Sequence, residues 1–62
     1  MYRIGIVQGN TTDIGPTEFR DLATAIERAE ECARIAWADV LVIRWEGMKT
    51  VRRIKQPKLE WA

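Results

Sequence analysis

Histidine is absent from this sequence, and cysteine occurs once, as Cys32. Without histidine the chain lacks the side chain that titrates near neutral pH and serves most often as a general base. One cysteine excludes a disulfide within the chain. Together these absences put a zinc site of the usual Cys/His kind out of reach of one copy. A carboxylate site for a hard cation needs clustered acids, and no such motif is present. Long apolar runs are missing too. The longest, residues 35–38 and 40–43, are split by Asp39 and fall well short of the roughly 18 residues of a membrane span. Near the start, Arg3 and Gln8 bracket a short strand-like run, where a secretory leader needs an apolar stretch of about 7–15 residues. The expectation is a soluble, cytoplasmic protein without metal or cofactor, and not an enzyme. Cys32, the strongest nucleophile, has nothing beside it to activate it and reads as a small core residue. Gly5, Gly9 and Gly15 match no phosphate-cradling spacing and read as turn and strand-bend residues.

What is present fits one small domain of 62 residues, with 57–62 as a C-terminal tail. A domain of that size buries only about 60% of its unfolded surface, so its core is thin. The net charge is +1, unevenly spread. Residues 1–20 are neutral, residues 21–39 sum to −3 and residues 40–62 to +4. One acidic side and one basic side are expected.

Residues 2–8 alternate Tyr2, Ile4 and Ile6 onto one face, as a strand does. Residues 9–13 have loop composition. Residues 14–20 admit two readings, a helix opened by Pro16 or a short edge strand, and the strand is preferred. Asp21 is the better N-cap, with Phe19 entering the core ahead of it. Leu22, Ile26, Ala29, Ala33 and Ala36 then form a stripe at helical spacing, flanked by Ala25, Cys32 and Trp37. Glu30 and Arg34 are placed to pair across one turn. Residues 40–43 are a continuous apolar run suited to a central strand, Gly47 marks a tight turn, and residues 48–54 return as another strand. On that strand Thr50, Arg52 and Ile54 share one face, and Val51 and Arg53 the other. The fold class is α+β: a small, mainly antiparallel sheet in the order ββαββ, or βαββ without the second strand, with one amphipathic helix on one face.

Three surfaces are candidates for function. The acidic helix side carries Glu27, Glu30, Glu31 and Asp39, which read either as a solvated face or as a mimic of a polyanion. The basic segment carries Lys49, Arg52, Arg53, Lys55 and Lys58. It reads as a phosphate-binding patch or as an edge strand guarded by positive charge. The third is the sheet face opposite the helix. There, alternation places Arg3, Gly5 and Val7 with Val40, Val42 and Arg44, a partly apolar surface. Trp45, in phase with Leu41 and Ile43, reads as core or as an anchor, and Trp61 as an anchor or as packed on the domain.

The run of residues 19–29 resembles a pattern in small bacterial and phage proteins, where a strand-end Phe and an N-cap precede a helix with apolar residues placed like Leu22, Ala25, Ile26 and Ala29. Residues 39–47 look like the hairpin that follows there. The same region is loosely similar to the N-terminal half of HicB-type antitoxins, whose glycine- and proline-rich strand segment is not matched. Chains of this style are similar to phage-encoded anti-CRISPR and other anti-defence inhibitors. That resemblance implies stoichiometric, non-catalytic binding to a host protein or nucleoprotein complex and transfers no site residue. Nucleic-acid binding by the basic strand and a homodimer through the free sheet face stand as alternatives.

Overall fold

The computed structural model describes residues 1–57 of the chain. Lys58 and Trp61, in the expected tail, lie outside the described residues. Four strands and one helix follow one another as β1 (Tyr2–Gln8), β2 (Thr11–Ile14), α1 (Leu22–Ala36), β3 (Val40–Arg44) and β4 (Lys49–Ile54). The strands form one sheet in the order β2-β1-β3-β4, antiparallel at every pairing. The expected α+β architecture with one helix is the one observed.

The second strand sits earlier than expected. Gly9, at φ +61°, and Asn10 make the turn between β1 and β2, so Thr11, Thr12 and Asp13 belong to a strand and not to a loop. Their polarity follows from position: β2 is a short edge strand, open to water. Beyond β2, Gly15 donates its backbone N–H to the Ile4 carbonyl at 2.9 Å, and Phe19 and Tyr2 form a bridge by exchanging backbone hydrogen bonds of 2.8 and 2.7 Å. Phe19 packs against the core from there.

Asp21 caps α1. Its carboxylate accepts from the Thr24 N–H and the Thr24 hydroxyl, at 3.3 and 3.1 Å. The buried line on the helix is Ala25, Ala29 and Ala33, not the full stripe from Leu22 to Ala36. A spacing of four keeps small residues on one line down the helix, where the backbone can approach the sheet closely. Ile26 and Cys32 flank that line, half-buried, while Leu22 and Ala36, in the first and last turns, stay exposed. Trp37 ends the helix in the left-handed conformation, at φ +51°.

Strand phase is the main correction. Ile6 opposes Val40 and Ile4 opposes Val42. Both valines are fully buried, and Tyr2, Ile4 and Ile6 pack against the same cluster as the helix alanines. Val40 and Val42 therefore face the helix. The open face takes Arg3, Gly5 and Val7 with Leu41 and Ile43 instead. The residues of a continuous apolar strand look alike on both faces, so their phase is set by pairing and not by local pattern. In β4 a register shift between Val42 and Ile43 leaves Val51 as the extra residue. Arg52 opposes Val42, and Thr50 opposes Ile43. The bulge thus separates Thr50 from the face of Arg52 and Ile54.

Candidate functional site

The uncovered sheet face is built on a close approach. A Cβ placed on Gly5 would meet the Thr12 methyl at 2.7 Å and Ile14 and Ile43 at 3.4 Å. Glycine at this position lets the side chains of β2 and β3 close over the middle of β1. Ile43, with Arg3, Leu41 and Thr50 around it on that face, is only 5% exposed, so the centre of the face is partly self-covered. Val7, Ile14 and Leu41 remain half-exposed.

At one end of this face Trp45 extends the β3 pairing by donating its backbone N–H to the Met1 carbonyl at 2.9 Å. The Arg3 guanidinium lies 4.0 Å from the Trp45 ring centroid, a cation–π stack. Glu18 accepts from Arg3 at 2.7 Å. Arg3 Nε is buried without a hydrogen-bond partner. One side of the indole is therefore already occupied. A β-sheet that stacks bases offers open aromatic faces, and here one of the two indole faces is taken by the chain's own arginine. Below it, the Met1 amino group pairs with Glu46 in the β3–β4 turn, which holds the Glu46 carboxyl below its ordinary range.

At the other end Asp39 is a junction. Its Oδ2 accepts from Arg53 Nε and Nη2 at 3.1 and 2.6 Å, and its Oδ1 from the Gln56 N–H at 2.7 Å. The Gln56 amide first, and then Arg53, lower its pKa from the ordinary carboxylate value. Asp39 and Arg53, assigned from sequence to opposite surfaces, are thus partners of each other. Glu27, Glu30 and Glu31 do share the exposed side of α1. There the ion pair is Arg28 with Glu31, at 4.0 Å, in place of Glu30 with Arg34.

The basic strand is divided. Arg53 points to the open face opposite Leu41, Arg52 to the helix face opposite Val42, Lys49 starts β4, and Lys55 follows its end. All four are exposed; Val51, 41% exposed, lies between Lys49 and Arg52, and Met48, 58% exposed, comes just before Lys49. Sequence reasoning missed Arg3 as the cover of Trp45, because no local pattern announces a contact between β1 and the end of β3.

On the helix side, α1 leaves β2 uncovered. A cleft of about 440 Å³ opens there, with Ile4, Ile6 and Phe19 as apolar walls, Cys32 beside them and Asp13 and Arg28 among its polar lining. Among the described residues no group of three His, Cys, Asp or Glu side chains is placed to hold a metal ion. No described helix is long and apolar enough to cross a membrane. No family model, curated protein or solved structure matches this chain.

Proposed function

We propose that this protein is a non-enzymatic binding module that engages a partner protein through the open sheet face and the adjoining β4 edge. The observation that carries the reading is a sheet face that the helix leaves uncovered, with half-exposed apolar side chains beside a cationic edge. Half-exposed Val7 and Ile14 share the open face with half-exposed Leu41, which lies beside β4, where Val51 is exposed among cations and Met48 is exposed just ahead of the strand. An apolar centre with a charged rim is the composition of a protein interface. The matching partner surface is apolar with acidic groups around it. In the form that the anti-defence resemblance suggests, the partner belongs to a bacterial defence complex, and occupancy itself is the inhibitory act.

The covered face of Trp45 favours a protein over a base-stacking nucleic acid. The engagement of Asp39 with Arg53 and Gln56 reduces the polyanion-mimic version to Glu27, Glu30 and Glu31. The test is quantitative capture from a host lysate by the immobilised chain, with and without nuclease, beside a Leu41→Glu variant whose fold is verified by circular dichroism. A protein held in stoichiometric amount after nuclease, and lost with Leu41→Glu, is the expected result. Capture that vanishes with nuclease, or that Leu41→Glu leaves intact, overturns it. Replacing Glu27, Glu30 and Glu31 by glutamine should leave capture unchanged.

A further inference from the structure

We infer that β4 is a docking edge for an extended acidic peptide segment, which joins the sheet as a further antiparallel or parallel strand. This rests on the partner-binding reading above and specifies its chemistry.

The hydrogen-bond phase of the sheet places the free groups. Val7 donates to the Asp39 carbonyl and Trp45 to the Met1 carbonyl, each at 2.9 Å, so the odd-numbered residues along β3 bond to β1. Alternation in an antiparallel ladder then turns Val40 and Val42 toward β4, opposite Ile54 and Arg52. The intervening Arg53 directs its own N–H and C=O out of the sheet. The two edges of the sheet are unequal. β2 has 4 residues, and β4 has 6. β4 is the longer edge, and its cations and the bulge at Val51 guard it against flat or like-charged strands, which leaves an oppositely charged strand as the one it favours.

Charge selects the occupant. Lys49, Arg52 and Lys55 are exposed along this edge, and among the described residues none of them is in an ion pair. Arg53 keeps its guanidinium on Asp39 and contributes backbone groups. A second copy is a poor occupant, since pairing β4 with itself sets cations against cations, which is destabilising. A nucleic acid is a poor occupant as well, because outward carbonyl oxygens alternate with the N–H groups and repel phosphate. A peptide backbone answers both donors and acceptors, and its Asp or Glu side chains answer the cations. Exposed Val51, between Lys49 and Arg52, and exposed Met48, just before Lys49, offer apolar contact beside the charged positions.

The experiment titrates the isotope-labelled full chain with a short peptide of glutamate and valine, read by amide chemical shifts and hydrogen exchange. Shifts confined to β4 and its flanks, with slowed exchange at the Arg53 amide, are the expected outcome. Methylating alternate backbone nitrogens of the peptide should weaken binding about tenfold or more, since it removes ladder bonds and keeps the charge. The double variant Lys49→Glu, Arg52→Glu, at exposed sites that leave the fold intact, should lose about tenfold. Equal binding of the methylated peptide, equal binding of a lysine–valine peptide, or shifts centred elsewhere would sink the proposal. So would Arg53 protection through self-association without peptide, or displacement of the peptide by a labelled oligonucleotide at comparable concentration. A failure here leaves the Leu41→Glu capture result standing, so the two readings fail separately.

Discussion

At the scale of single residues, Gly5 and Asp39 carry more than their size suggests. Gly5 is buried, and the space a Cβ would need is held by the Thr12 methyl at 2.7 Å. Gly5→Ala should therefore destabilise the domain by about 1–3 kcal/mol through overpacking. Thr12→Ser removes the offending methyl, so the double variant should recover most of that loss. Denaturant titration of the four proteins of this cycle checks the coupling. Asp39 has a folded-state pKa below its unfolded value, held there by the Gln56 amide and Arg53. Its contribution to stability is thus present above the unfolded carboxylate pKa and is lost as pH falls through the lower, folded one. Asp39→Asn should lower the urea midpoint at neutral pH. The difference from the parent should shrink as the solution is acidified through the carboxylate range.

At the scale of elements, the helix depends on its cap and on its alanines. Asp21→Ala leaves first-turn N–H groups without a side-chain acceptor and should cost about 1 kcal/mol, while Asp21→Asn should cost much less; thermal melts separate the two. The helix was legible in the sequence because its determinants are local. The cap, the apolar period and the propensity of alanine all act within a few residues. Leu22 and Ala36 belong to the same period and yet stay outside the core, because a period describes a direction around the helix and not how far the supporting sheet extends. β2 was only half legible. Thr11, Thr12 and Asp13 have the composition of a loop, and they form a strand because β1 offers them an edge to pair with.

At the scale of the whole molecule, the two faces of the sheet differ in worth although their residues alternate along one strand. Val42 is fully buried beneath the helix, and Leu41 beside it is half-exposed on the open face. Val42→Ala should cost about 2–3 kcal/mol, from the lost transfer energy of its methyl groups and the cavity left behind. Leu41→Ala should cost about half of that. In a domain whose net stability is about 5 kcal/mol or less, the first change should populate the unfolded state near physiological temperature, and the second should not. Equal losses in urea titrations would contradict the register. The same asymmetry leaves Leu41 free for a partner.

The charge asymmetry along the chain was readable from sequence, but its arrangement in space was not. The acidic helix side survives as Glu27, Glu30 and Glu31, whereas Asp39 and Arg53 meet and neutralise each other. The four cations of the basic strand are distributed over two faces and an edge by the pleat and by the bulge at Val51. By itself, the sequence determined the strands β1, β3 and β4, the helix with its cap and the turn at Gly47. Each of these follows from interactions between residues close in the chain. Tertiary structure alone decided which residues of β3 face the helix, where β2 lies, and that Arg3 covers Trp45. Those outcomes depend on strand pairing between distant segments, where a shift of one residue exchanges the two faces of a strand and no local preference opposes it.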